Sequence, residues 1–304
     1  MRFHTISLLA LAAASTTMAL PRPRTKRATT AVSASDLAGF APFTQFARAA
    51  YCDSDKIEGW KCGEACDAIP GFEPTLTGGD GNAVQLFFVG YWPDQNSVVI
   101  SHEGTDPTAL MSDLTDLKFT QENLDSTLFP DVSTDVKAHN GFADEHAKTA
   151  AAVLAETTRL LSDKNANQVI VIGHSLGGAI AELDSLYLTL NLPADVHVKG
   201  VTYGTPRVGN QAFVDLFDSK VADFTRVNNE HDMVPIVPGR FLGFSHPKGE
   251  VHITSPGNAV ACSGDDNDGD AECTDKTVSN ILKGSVLDHL GPYEGIHIGS
   301  IFCN

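Results

Sequence analysis

Two kinds of apolar pattern alternate along the chain. Short runs rich in Val, Ile and Phe predict strands at Val84–Val89, Val98–Ile100, Gln168–Ile172, Val198–Tyr203 and Phe224–Val227. Val251–Ile253 is a shorter candidate, and Ile296–Ile301 reads as a closing strand. Between them, apolar residues recur at helical spacing. Residues 142–161 carry Ala150, Val153, Leu154, Leu160 and Leu161, and residues 176–190 carry Ile180, Leu183, Leu186, Tyr187 and Leu190. Leu37, Phe40, Phe43, Ala47 and Tyr51 repeat the spacing after the capping candidates Ser33 and Ser35. Strands alternating with helices predict an α/β fold, with a mainly parallel central sheet covered on both faces. No repeat or interior linker divides the chain, so a single domain is expected.

Composition narrows the function. With 304 residues, 42% hydrophobic and 19% charged, the chain can bury a full core. Its net charge of −17 leaves no broad basic face for a nucleic-acid backbone. The N-terminus is different in kind. Arg2 and His4 precede the apolar stretch Ile6–Ala14, and small residues lead to Ala19, the pattern of a secretory signal peptide over 1–19. Residues 20–27 end in Lys26-Arg27 and read as a pro-peptide, leaving 28–304 as the mature domain. Losing 1–27 removes Arg2, Arg22, Arg24, Lys26 and Arg27 and no acidic residue, so the mature chain is more acidic still. The signal's apolar run is too short to span a bilayer and no later run approaches that length, so no stable membrane anchor is expected.

An even set of cysteines in an exported chain predicts disulfides. Cys62 with Cys66 and Cys262 with Cys273 would close short loops, which leaves Cys52 with Cys303 to tie the two ends together. No His stands at matching intervals, so a zinc site is not expected. Asp265–Asp270 invites a calcium reading, but the loop template would put Gly264 where an Asp is required. A solvated acidic hairpin tip is the expectation there, and no metal.

The chemistry centres on Gly173-His174-Ser175-Leu176-Gly177. It joins a predicted buried strand to a predicted helix, the context a nucleophile elbow requires. Neighbouring glycines allow the tight turn, and the helix N-terminus offers free N–H groups where an oxyanion would form. A serine hydroxyl needs a base oriented by an acid, in the order Ser, acid, His. Asp232 follows the Phe224–Val227 strand and is the expected acid, with Glu230 as rival. His289, ahead of the last predicted strand, is the expected base, with His246 second; His252 and His297 sit in strand patterns and read as structural.

These segments resemble the fungal class 3 lipases, the filamentous-fungus triacylglycerol lipase family. The elbow extends through Gly178-Ala179, and Thr202-Tyr203-Gly204-Thr205-Pro206-Arg207-Val208-Gly209-Asn210 matches a second block of that family. His231–Pro235 resembles the block with the family's acid, Asp288-His289 with Tyr293 the block with its base, and His139–Phe142 a structural block. The end-to-end cysteines are similar too. The resemblance implies the α/β-hydrolase fold, a Ser175–Asp232–His289 triad, and an oxyanion hole from the N–H groups of Leu176 and Thr105. The family usually carries Arg where this chain has Glu103; a branch acting on mono- and diacylglycerols tolerates such a change.

Residues 106–118 fall where the family carries a mobile lid. Asp106-Pro107 can start a helix that puts Leu110, Leu114 and Leu117, with Met111, on one face. The expectation is a secreted, monomeric serine esterase that acts on acylglycerols at a lipid–water interface, with no cofactor. The alternatives are a feruloyl esterase or general carboxylesterase on the same fold, and a catalytically inactive hydrolase-like binding module.

Overall fold

A computed structural model of the chain describes residues 29–106, 119–264, 266 and 270–303. Its strands are β1 (Thr30–Val32), β2 (Glu73–Gly78), β3 (Phe87–Trp92), β4 (Ser97–His102), β5 (Gln121–Asn123), β6 (Lys137–His139), β7 (Gln168–His174), β8 (His197–Tyr203), β9 (Asp223–Asn229), β10 (Glu250–Ser255) and β11 (Asn258–Ala261). The helices are α1 (Ala34–Ala38), α2 (Ala41–Ala49), α3 (Ser54–Glu58), α4 (Glu64–Asp67), α5 (Asn140–Lys164), α6 (Leu176–Asn191), α7 (Gln211–Lys220), α8 (Thr274–Thr277) and α9 (Val286–His289).

A nine-stranded sheet runs in the order β1-β11-β10-β9-β8-β7-β4-β3-β2. Its centre, from β4 to β10, is parallel, as the alternation of strands and helices predicts. The outer pairings β2–β3, β3–β4, β10–β11 and β1–β11 are antiparallel. The buried strands show why they read as continuous apolar runs. Along β7, Val169 and Val171 enter one core with Ala150, Val153 and Leu183, while Ile170 and Ile172 enter the other with Phe46, Phe72 and Trp92. A strand with a core on both faces has no polar side to show. Phe46 anchors the second core, with edge-on contacts to Phe72 and Trp92 at 4.9 and 5.2 Å between ring centroids.

Several expectations need correcting. Ile296–Ile301 is not a strand: it holds a single bridge from Ile296 to Tyr293 and then a short 3₁₀ turn, Ser300–Phe302. Gly295 and Gly299 take positive φ there and break the extended run. The Val84–Val89 strand begins at Phe87 and runs on to Trp92. The helical pattern from Leu37 is two helices, split at Gly39-Phe40; Ser33 caps the first by accepting from the Asp36 N–H at 3.1 Å. The acidic run after Gly264 is not simply solvated. Asp266 is buried and paired with the buried guanidinium of Arg207, which must find carboxylates once it leaves water. The apolar face of Leu110, Met111, Leu114 and Leu117 lies outside the described residues.

All three disulfides pair as the spacing suggests: Cys52–Cys303, Cys62–Cys66 and Cys262–Cys273. Cys303 follows the 3₁₀ turn rather than a strand, and Arg48 of α2 donates to the Phe302 carbonyl at 2.7 and 2.9 Å beside the bridge. The 251-residue separation of the end-to-end bridge makes its constraint on the unfolded chain the largest of the three. Replacing Cys52 and Cys303 together by Ser should therefore cost roughly 5 kcal/mol in the chain-entropy account. Thermal unfolding followed by circular dichroism should show a melting temperature lower by on the order of 10 °C. A loss no larger than that from opening Cys62–Cys66 would contradict this.

Candidate active site

Ser175 stands between β7 and α6 at φ 59° and ψ −127°. A non-glycine residue there costs about 1–3 kcal/mol and persists only if its surroundings hold it. They do: its N–H donates to the Tyr203 carbonyl of β8 at 2.9 Å, and its carbonyl accepts from Gly178 and Ala179 at 3.0 and 3.2 Å. Gly177 is required by closeness. A Cβ there would lie 2.3 Å from the His102 carbonyl and 2.5 Å from that of Glu103. The first turn of α6 thus rests on the end of β4, with its leading N–H groups free of intrahelical partners.

The Asp232–His289 pair is set by two loops stitched together. Asp232 follows β9, and His289 ends α9, whose first turn Ser285 caps by accepting from the Asp288 N–H at 3.1 Å. Ser285 N–H donates to the His231 carbonyl at 2.7 Å, His231 N–H to the Asp288 carboxylate at 3.1 Å, and the Asn229 amide to the Asp288 carbonyl at 2.9 Å. Asp232 Oδ2 lies 2.9 Å from His289 Nδ1, and its Oδ1 accepts from Val234 N–H at 2.8 Å. Both side chains are wholly buried. A carboxylate partner puts the proton on Nδ1 and leaves Nε2 with its lone pair. Among the described residues Nε2 has no hydrogen-bond partner, so it is not bonded to the Ser175 hydroxyl in this structure.

What brings the serine and the pair into one site is the turn after β8. Ser175 hangs from Tyr203, and the next residue, Gly204, sits at φ +52°. A Cβ at Gly204 would meet Asp232 Oδ2 at 2.6 Å and His289 Nδ1 at 2.7 Å. His174, beside the serine, lies against the His289 ring at 4.3 Å with the planes tilted by 31°, and bonds the His289 carbonyl through Nε2 at 2.8 Å. Tyr51 Oη closes the row on His174 Nδ1 at 2.6 Å. Tyr293 donates to the His289 carbonyl at 3.1 Å, with Asp232 Oδ2 at 3.5 Å. A basic imidazole, an orienting carboxylate and a serine at a helix N-terminus are the parts that acyl transfer needs.

Of the remaining predicted residues, Leu176 opens α6 directly after the serine, and Thr105 follows β4 next to Gly104, where an added Cβ would lie 2.8 Å from the Ser175 Cβ. His246 is turned elsewhere: it is buried with Nε2 on the Pro235 carbonyl at 2.8 Å. His252 is structural as expected, bridging the Glu230 and Glu272 carbonyls. His297 is exposed, and Glu230 takes part through its carbonyl. Residue spacing did not single out His102, His146 or Asp184, and it marked Tyr51 only as part of an apolar helical pattern. For Asp184 a signal exists: a carboxylate in a helix whose other faces are almost wholly apolar.

Two buried carboxyls and one half-buried one resist ionisation. Burial, helped by Asp106 and Asp53 and opposed by the bond from Leu86 N–H, pushes Glu103 up to about 7. Burial pushes Glu182 up to about 8 against the pull of Arg226, and neither carboxyl oxygen has a partner among the described residues. Burial likewise takes Glu294 to about 7, against the bond from the Thr44 hydroxyl.

Comparison with known proteins adds a family to this geometry. Residues 99–242 match the family described as lipase (class 3). A secreted mono- and diacylglycerol lipase of Malassezia globosa is 36% identical over 178 residues, 58% of either chain. A second from the same fungus is 30% identical over 72% of this chain and 69% of its own length. The chain thus spans less than two thirds of the first relative. Among solved structures, the Rhizomucor miehei triacylglyceride lipase superposes with a TM-score of 0.78 at 27% identity, covering 91% of this chain and all of the other. The fold is accordingly the α/β-hydrolase fold. No helix among the described residues is long and apolar enough to cross a membrane.

The raised carboxyls carry a sign. Glu103, Glu182 and Glu294 stay protonated in the folded chain but ionise near 4.5 when unfolded. At these three carboxyls the folded state binds more protons between about pH 4.5 and 8, a contribution that falls as pH rises, whereas His174 and His246, whose imidazoles burial holds neutral, contribute the opposite slope below about pH 6.5. Melting temperatures should therefore decline from about pH 7 to 8.5, above the histidine range, and Glu182→Gln should flatten that slope. A melting temperature that rises from about pH 7 to 8.5, or a slope unchanged in Glu182→Gln, would be inconsistent with protonated carboxyls at these positions.

Proposed function

Since the chain belongs to the class 3 lipase family, we propose that it is a serine hydrolase that cleaves the carboxylic ester bonds of acylglycerols. The observation that carries this is the buried Asp232–His289 pair seated on Gly204, beside a serine held in a strained turn at a helix N-terminus. Ser175 attacks the ester carbonyl as His289 Nε2 takes its proton. Asp232 holds the ring in the Nδ1–H tautomer and stabilises the imidazolium. The N–H groups of Leu176 and Thr105 receive the oxyanion. His289 then returns the proton to the leaving glyceride oxygen, and a water that it activates releases the fatty acid from the acyl-enzyme.

Mono- and diacylglycerols are the proposed substrates, supported by the names of the Malassezia relatives and by Glu103 standing beside the oxyanion residues. The chain is secreted, as are the relatives so named. Three disulfides suit an oxidising compartment. The same reading takes residues 1–19 as a signal and 20–27 as a pro-peptide, acts without a cofactor, and takes the working form as a monomer.

Three measurements test this. Ser175→Ala should fold with an unchanged melting profile and lose at least about a thousandfold of kcat on emulsified monoolein and diolein; activity retained in that variant would refute the serine mechanism. In the same assay the native protein should prefer mono- and diolein to triolein and to methyl ferulate, whereas a preference for the phenolic ester would point to a feruloyl esterase. N-terminal sequencing of the secreted protein should begin at Ala28; a start at Leu20 would mean that the basic segment is kept.

A further inference from the structure

A second constellation of ionisable groups lies beneath the serine. His102 ends β4, His146 lies on α5 and Asp184 lies on α6. Asp184 Oδ2 is 2.6 Å from His102 Nε2, and Oδ1 is 2.9 Å from His146 Nε2. All three side chains are essentially without solvent contact. Burial alone would raise the Asp184 carboxyl, but the bonds from His102 and His146 outweigh it and bring it down to about 2, so it is a carboxylate at any working pH. Phe87 stacks on His102, and Phe129 and Tyr187 enclose His146.

Such a cluster is a poor way to gain stability. A buried charged group costs several kcal/mol of desolvation, and apolar residues of similar volume often serve the fold as well. Its location is therefore informative. His102 pairs in register with Gly173, two residues before the serine. The backbone of His102 and Glu103 lies directly under Gly177. Gly104 backs onto Ser175, where an added Cβ would lie 2.8 Å from the serine Cβ. Residues 103–105, which lead to one oxyanion N–H, thus leave His102 at once. Asp184 sits on the helix whose first residue offers the other N–H.

We propose that Asp184, bridging His102 and His146, is a positioning residue that sets the separation of the two oxyanion donors, Thr105 and Leu176. The carboxylate ties the end of β4 to α6, and His146 holds that carboxylate in its rotamer from α5. This rests on the serine-hydrolase reading above and adds the element that fixes the electrostatic half of the site. Donor placement matters steeply, since a displacement near 1 Å can cost about a hundredfold in rate.

The test compares wild type, Asp184→Asn, His102→Leu and His102→Gln on p-nitrophenyl butyrate and on its thionoester counterpart, whose sulfur is a poor acceptor for oxyanion N–H groups. Asp184→Asn and His102→Leu should lower kcat on the oxygen ester about 10- to 100-fold with KM within about threefold, and should narrow the ester-to-thionoester preference. His102→Gln keeps an N–H for the carboxylate and should retain kcat within about threefold. A folded Asp184→Asn with unchanged kcat and preference would overturn the proposal. If Asp184→Asn does not fold, the His102 pair decides: equal kcat in His102→Leu and His102→Gln overturns it equally. A wild type without Ser175-dependent hydrolysis of either ester would instead fail the hydrolase reading, and this proposal with it.

Discussion

The structure depends on one backbone conformation, the φ 59° turn at Ser175. Nothing local favours it; a serine in that region is strained. It exists because β7 is locked between β4 and β8 and because α6 starts immediately afterwards, packed into the core through most of its length. The strain is held by the N–H bond to Tyr203 and by the absence of a side chain at Gly177. The same tightness exposes first-turn N–H groups beside the hydroxyl. One constraint thus accounts both for the place of the proposed nucleophile and for the polarity around it.

The second feature is layering. Behind Asp232 and His289 stands a row of linked groups: Tyr51 on His174, His174 on the His289 carbonyl, Tyr293 on the same carbonyl. Beneath the serine lies the His102–Asp184–His146 cluster. Each row joins segments far apart in sequence, and each ends on a residue adjacent to the proposed chemistry. Polar groups in the dry interior of a hydrolase need partners at defined angles, which an apolar core does not.

Much of this was legible in the sequence, and the parts that were not share a reason. The central parallel strands announced themselves because burial on both faces leaves no polar residue in Val169–Ile172. The elbow was legible because glycines at a strand-to-helix junction have few other uses. Asp232 and His289 could be ordered by chain topology alone. The edge strands β1 and β2, and β11 next to the edge, were not legible, because half-exposed antiparallel strands mix polar and apolar residues. Ile296–Ile301 misled because Ile298 is buried by packing rather than by a ladder, while Ile301 stands exposed. Asp266 looked like solvent-facing charge because its partner, Arg207, is 59 residues away.

The bridge between Cys52 and Cys303 has a consequence for life outside the cell. It turns nearly the whole domain into a covalent ring. A protease that cuts one surface loop of a linear chain makes two fragments free to separate; here it makes a nicked circle whose pieces stay tethered and can re-associate at high local concentration. Endurance in a digestive milieu would then require two cuts rather than one to be fatal.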